Sequence, residues 1–313
     1  MVEIMLLKPF LIYFNVTLWV GVVILLFLKN GLKSSKLLAF TNWLIRLLLA
    51  LLLLQYAVYI YARYIEPNWI AVDKVTIKNN NFPAEVDNLT IAHISDLHIW
   101  KEGLRERLLV KKINSLKPDI ILVTGDFLTE WEGIPAVLSV FSKIKARCGI
   151  FGIFGDIDYH ALKKDEMTRF KMQLVAIGIK ILHNERLQVP VDNNSYITLI
   201  AYTIPNKGEG FKTTKLESPK IVLIHSPKLM ESKYISADSA DLVLAGDTHG
   251  GQFGLQFIRN LSRNVSSFKY VSGLYYVKGV PLYVNRGIGT HRMNTRFLCR
   301  PEITLIKLEK GQE

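Results

Sequence analysis

The chain has 313 residues, half of them apolar, enough to build one sizeable core with apolar sequence left over for a membrane segment. Its net charge of +12 comes without a recognisable nucleic-acid motif, so nucleic acid is not an expected partner. Two cysteines, Cys148 and Cys299, far apart and without metal-type spacing, exclude a disulfide framework and a zinc knuckle.

Residues 10–28, FLIYFNVTLWVGVVILLFL, run without a charge for about the length that crosses ~30 Å of hydrocarbon as a helix. A second apolar stretch, residues 37–62, is broken only by Arg46, whose long stem can carry its charge toward an interface. Buried core helices seldom run this far without a polar face. A cleaved leader would show a small-residue site where KNGLKSSK stands. Both stretches are therefore expected to span a membrane, and the aromatic cluster in QYAVYIYARYIEPNW suits an interfacial belt. Lys29, Lys33 and Lys36 place the connecting loop in the cytoplasm and both termini outside, with Lys8, Arg63 and Lys74 pulling the other way. The expected organisation is a two-span anchor over residues 1–66, a connector over 67–85 containing the strand VDKVTIKN, and a catalytic-type domain over 86–313, all at the cell membrane. Residues 67–313 hold 33 basic and 25 acidic residues, a surplus of eight that attracts anionic lipid head groups. A solvated basic surface without a partner is the alternative.

Beyond the connector the pattern alternates. LTIAHIS reads as a strand, RERLLVKKINSL as a helix, DIILVTG as a strand, PAVLSVFSKIKA as a helix, GIFGIFG as a strand and DEMTRFKMQLVAIG as a helix. After Lys180 the strands IKILHNE, LQVPV, YITLIAY, KIVLIHS and DLVLAG follow with short connections, and FKYVSGLYYVKGVPLYVNRG has hairpin character. The fold class is α/β, a mixed β-sandwich flanked by helices.

Polar residues collect at strand ends: Asp96 and His98 after LTIAHI, Asp126 after DIILVT, Asp156 and Asp158 after GIFGIF, His225 ending KIVLIH, and Asp247 and His249 after DLVLA. The carboxyl edge of such a sheet is where ligands bind. Hard or borderline divalent ions take carboxylate oxygens and imidazole nitrogens. Two ions ~4 Å apart need a ligand that bridges them, and an Asp-x-His spacing puts both side chains on one side of an extended strand end.

In this order the blocks resemble the calcineurin-like metallophosphoesterases: D-x-H, G-D, G-N-H-D/E, a lone H, then G-H-x-H, over roughly residues 86 to 310. The stretch LYVNRGIGTHRMNTRFLCRPEITLIKL is similar to the membrane-anchored bacterial phosphodiesterase branch, which includes enzymes hydrolysing UDP-2,3-diacylglucosamine. The resemblance implies a four-layer sandwich behind N-terminal transmembrane helices. It also implies a first metal on Asp96, His98 and His249, a bridging Asp126, and a second metal on Asp126 and His225. The remaining two ligand positions carry Asp156 and Asp247 instead of Asn and His, and Ile157 stands where the family has its catalytic histidine.

With aspartate at 156 and 247, four aspartates face two divalent ions and make the site harder and less positive, favouring Mn²⁺, with Mg²⁺ or Fe²⁺ as alternatives, over zinc. General acid help is worth about 10² to 10⁴-fold. Its loss at Ile157 matters least for an acidic leaving group such as the monoester expelled from a pyrophosphate. His160 and Asp158 are the candidate catalytic groups near that position. Gly250-Gly251 is expected to turn the chain so that His249 reaches the metal. Arg286 and Arg292 are candidate phosphate contacts, with pairing to acids the other reading. His93 reads as a core residue; His183 and His291 are unassigned, although the His291 loop is placed to approach the metals.

The expected activity is hydrolysis of a phosphodiester or pyrophosphate by a metal-bound hydroxide. Expected partners are membrane lipids and a phosphorylated lipid or nucleotide-linked substrate. The alternative is a catalytically impaired metal- or lipid-binding module. A metallopeptidase would need an H-E-x-x-H helix motif, which the chain lacks.

Overall fold

A computed structural model describes the chain except for Met1, Asn81, Arg292 and residues 193–194, 204–218, 233–234, 236–239, 254–268 and 312–313; for residues 2–14 the helical backbone alone is described. Two compact units result, Met1–Ala62 and Arg63–Glu313.

The first unit is a helical pair. Helix α1 (Val2–Leu28) and α2 (Ser35–Ile60) are joined through a short turn, Lys29–Gly31. They approach closely at Gly21, where a Cβ would lie 3.6 Å from Leu48 Cδ1. The helical run Ser35–Asn68 is long and apolar enough to cross a membrane, and its apolar side chains are largely exposed. Within α1 the described apolar part, Asn15–Gly31, is shorter than a span requires, since the expected stretch starts at residues whose side chains lie outside the described set.

The second unit holds two six-stranded sheets. The first runs β1 (Ala71–Asn79), β12 (Glu302–Lys310), β2 (Thr90–Ile94), β3 (Ile120–Thr124), β4 (Ile150–Ile153), β5 (Ile179–Ile181). The second runs β10 (Gly273–Val277), β11 (Val280–Val284), β9 (Leu242–Ala245), β8 (Lys220–Ile224), β7 (Ser195–Tyr202), β6 (Arg186–Asp192). Strands β2 to β5 are mutually parallel, as are β7, β8, β9 and β11. The carboxyl ends of each parallel set therefore share an edge.

Period-2 patterning builds the sandwich. On β8, Ile221 and Leu223 join Ile91, Leu122 and Ile153 of the first sheet in the core between the sheets, while Val222 and Ile224 face outward with Val243 and Val284. The outer face of the first sheet is covered by α3 (Leu104–Leu116), α4 (Ile134–Phe141) and α6 (Lys164–Ala176), which bury Leu109 and Ile113, Val137 and Phe141, and Phe170 and Leu174 at helical spacing. Over the outer face of the second sheet, the described cover is Met230, Ile235, Ala240 and Tyr270. Among the described residues no long helix forms a fourth layer there.

Three elements differ from expectation. Helix α4 stops at Phe141 rather than running through the SKIKA that follows. Lys143 and Ile144 donate to carbonyls three residues back, and Asn114 takes the Lys143 carbonyl and the Lys145 N–H. The GDIDYH segment opens a short helix, α5 (Asp156–Ala161), whose N-terminal Gly155 N–H is accepted by Asp158 Oδ2 at 2.9 Å. The C-terminal EITLIKLEK is a central strand, β12, parallel to β1 from Ala71↔Glu302 to Asn79↔Lys310 and antiparallel to β2. The strand anticipated inside the connector is thus an edge of the first sheet.

Candidate metal centre

The site forms where the carboxyl ends of β2, β3 and β4 meet those of β8 and β9. Backbone bonds tie the first loops together: Asp96 N–H to Gly125 O and His98 N–H to Asp126 O, each at 3.0 Å. Asp96, His98, Asp126, Asp247 and His249 all adopt positive φ, between 45° and 71°. Non-glycine residues held there cost about 1–3 kcal/mol each and cluster at functional sites.

Ligand atoms within 4.8 Å of one another fall into three groups: Asp96, His98 and Asp126; Asp126, Asp156 and His225; and His98, His249 and His291. Asp126 belongs to two of them. Its Oδ2 lies 3.4 Å from His98 Nε2 and 3.5 Å from His225 Nε2. His225 Nε2 is 3.1 Å from Asp156 Oδ1, and its Nδ1 lies 2.7 Å from Thr124 O. A proton on Nδ1 donated to that carbonyl leaves Nε2 aimed into the site. His249 Nε2 sits 3.1 Å from His98 Nε2 and 3.9 Å from Asp96 Oδ1.

The electrostatics fit cations. Burial pushes the Asp96 carboxyl up to about 7, with Asp126 and Asp247 adding to the rise. Burial also lowers His98 to about 4 and holds His249 well below its ordinary value, so both rings are neutral, as metal ligands must be. For His225 burial acts downward, but Asp126 and Asp156 outweigh it and hold its pKa high. The hydrogen bond from His225 draws Asp156 down to about 2. Converging carboxylates and imidazole nitrogens, buried at Asp96, His98, Asp126, His225 and His249 and part-exposed at Asp156, are a donor set for divalent ions. Close approach is built in: a Cβ on Gly246 would fall 2.5 Å from Asp96 Oδ2.

Asp96, His98, Asp126, Asp156, His225 and His249 thus converge. The Asp247 carboxylate joins none of the three groups; its backbone N–H instead donates to both Asp96 oxygens, at 3.0 and 3.1 Å. Gly250, at φ 61°, makes the turn expected after His249, where a Cβ would meet Arg286 Cγ at 2.7 Å.

The candidate catalytic groups are placed away from this role. Asp158 is fully buried and its carboxylate accepts the N–H groups of Phe127 (2.9 Å), Leu128 (3.2 Å) and Gly155 (2.9 Å), clamping two site loops together. His160 lies exposed at the end of α5 with Nδ1 2.5 Å from the Asp156 carbonyl of its own helix. The Ile157 side chain brings no imidazole, but its N–H donates to Asp126 Oδ1 at 3.0 Å.

Arg286 pairs with Asp73 at 2.6 Å and Glu302 at 2.7 Å, the structural alternative to a phosphate contact. Arg292 lies outside the described residues. His93 is a core residue beside Thr124 Oγ1, 2.9 Å away, and His183 sits with Tyr159 and Thr203, apart from the ligand groups. His291, unassigned in sequence, arrives beside His98 and His249. The signal for it was available: the loop continues from the end of β11, a strand parallel to β9, and so lies on the same carboxyl edge.

The profile of a family described as the calcineurin-like phosphoesterase superfamily domain matches residues 89–256. YkuE of Bacillus subtilis, described as an uncharacterized metallophosphoesterase, is 30% identical over 263 residues, covering 80% of this chain and 90% of its own. The Escherichia coli phosphodiesterase YaeI is 26% identical over 258 residues, covering 79% and 92%. A Bos taurus transmembrane protein with a metallophosphoesterase domain is 23% identical over 260 residues, covering 76% of this chain and 57% of its own.

Proposed function

Because the chain belongs to the calcineurin-like phosphoesterase superfamily, we propose that this dinuclear metal-dependent phosphoesterase cleaves a phosphodiester or pyrophosphate bond in an amphiphilic substrate presented at a membrane. One observation carries the reading: Asp126 is shared between the Asp96–His98 and Asp156–His225 groups, as a bridging carboxylate must be. Divalent ions held there would supply Lewis acidity toward a phosphoryl group and acidify the attacking water.

The chain's own residues set the rest. The Ile157 N–H and the two flanking imidazoles fix the Asp126 carboxylate in place. Burial of Asp96, His98, Asp126, His225 and His249 strengthens the charge interactions they make at a phosphoryl group. With isoleucine at 157 and His160 turned onto its own helix, neither position presents a side chain to protonate a leaving oxygen. The chemistry that suits such a site expels an already acidic group, and a lipid-linked pyrophosphate does so.

The apolar helix Ser35–Asn68 supports membrane anchoring, and we extend it to a two-span anchor with α1 as the second span. The basic surplus of residues 67–313 suits anionic lipid. The oxygen-rich second group supports Mn²⁺. Ile157 also favours a second reading, a metal-binding module with impaired catalysis. The test is hydrolysis of a UDP-linked lipid pyrophosphate and of bis-p-nitrophenyl phosphate by the purified full chain with Mn²⁺, beside Asp126→Ala. Turnover that needs both metal and Asp126 supports the hydrolase. Bound metal without turnover on either substrate supports the impaired module.

A further inference from the structure

The described residues bring three imidazoles together, not two, at the first metal group. His98, His249 and His291 have ligand atoms within 4.8 Å of one another, with ring centroids 5.0 Å apart for His98 and His249, 5.7 Å for His98 and His291, and 5.9 Å for His249 and His291. We propose that His291 is a third imidazole donor to the first metal ion, which makes the two metal positions of this chain chemically unequal. The inference rests on the reading of the cleft as a two-metal centre.

The loop that carries His291 is held with a care that a surface histidine does not need. Its backbone N–H donates to Gln252 Oε1 at 3.0 Å, and Gln252 Nε2 donates to the carbonyls of Met293 (2.6 Å) and Thr295 (2.8 Å). Gln252 is itself buried and lies three residues beyond His249, on the same turn. One glutamine therefore sets His249 and His291 in register.

The approach to His291 is fixed from the other side. Ile288 and Gly289 donate to the carbonyls of Ser95 and Asp96, at 2.9 and 2.6 Å, which bonds this loop to the loop bearing the first carboxylate. Arg296, fully buried, donates to the carbonyls of Arg286, Gly287, Gly289 and Cys299 and so clamps the segment leading to His291. Three imidazole rings converging on one point from braced loops give the nitrogen-rich donor set that a borderline ion takes.

The chemical consequence is asymmetry. The first position offers Asp96, His98, His249, His291 and one oxygen of Asp126; the second offers Asp126, Asp156 and His225. Imidazole suits zinc, iron and cobalt, whereas carboxylate suits manganese and magnesium. The first position takes the more imidazole-loving ion, and the second takes the harder one.

The test is metal binding by the purified full chain in detergent, read without turnover. Stoichiometry comes from elemental analysis after dialysis, and the first position is followed by the visible absorption of Co²⁺. The wild type is compared with His291→Ala and His291→Asp. His291→Ala is expected to weaken one of two Co²⁺ sites by about 10-fold or more and to change its absorption band, with Mn²⁺ binding at the other site retained. His291→Asp is expected to recover binding at that site while shifting its preference toward Mn²⁺. Two ions bound by His291→Ala with unchanged affinity and band would overturn the assignment of His291 and leave the metal centre standing. Equal losses in the Ala and Asp variants would reduce His291 to packing and overturn it too. A wild type that binds no ion would overturn the two-metal reading itself.

Discussion

The backbone N–H of Ile157 donates to Oδ1 of Asp126 at 3.0 Å, so the residue that lacks the usual imidazole still positions the carboxylate shared by both ligand groups. Side chain and backbone have separate tasks here, and they separate experimentally. Ile157→His keeps the N–H and adds an acid. It should raise kcat on alkyl phosphodiesters by up to about 10² to 10⁴-fold and change turnover of a p-nitrophenyl ester or a pyrophosphate little. Steady-state rates on the two substrate types check this. Equal gains on both would mean the imidazole acts on something other than the leaving group.

Asp158 should behave as a structural clamp. Its buried carboxylate accepts three backbone N–H groups, and removing it strands those donors in a dry interior. Asp158→Ala is expected to destabilise the fold by roughly 3 kcal/mol or more. Denaturant unfolding of the full chain in detergent measures the loss. A fully stable but inactive variant would instead assign Asp158 to the chemistry.

Acid sensitivity should trace in part to His93. Burial alone depresses its pKa to about 3, against an ordinary value near 6.5. The folded chain holds the ring neutral while the unfolded chain protonates it. His93 stability is therefore complete above pH 6.5 and is lost below it, by about 1.4 kcal/mol per pH unit, until the folded ring itself titrates near pH 3. Between pH 6.5 and 5 the wild type should lose about 2 kcal/mol more than His93→Asn. Unfolding curves at the two pH values, compared between the proteins, give that difference directly.

Metal removal should loosen the domain. Asp96, Asp126 and Asp156 crowd one cleft, and ions that bind only the folded chain stabilise it by about 2.7 kcal/mol at a hundred times Kd. A chelator is expected to lower Tm, and added Mn²⁺ to restore it. Asp126→Ala should abolish the metal-induced rise, because both groups lose their shared member. An unchanged Tm on chelation of the metal-loaded wild type would count against a bound centre.

Much of this protein was legible along the chain. Runs such as IILVT and LVLA are short, almost wholly apolar and followed by Gly-Asp, so strand, burial and a polar strand end follow from local sequence alone. The apolar run through α2 is equally local, because being long and apolar enough to cross a bilayer is a matter of length and composition. Even the position of Asp156 at a strand end needed no partner to be seen.

What the chain could not state by itself is which side chain meets which. Asp156 and Asp158 are two residues apart, yet one turns to His225 and the other to the N–H groups of Phe127 and Leu128, because both lie in the first turn of α5, which rotates successive side chains by about 100°. Arg286 found Asp73 and Glu302 only because β12 inserts between β1 and β2. His291 reached His98, far away in sequence, through loops registered by Gln252 and Arg296. Local periodicity determined the strands, the helices and the chemistry placed at their ends. The register of strands distant along the chain decided which of those groups share a metal, because only closure of the sheets sets those distances.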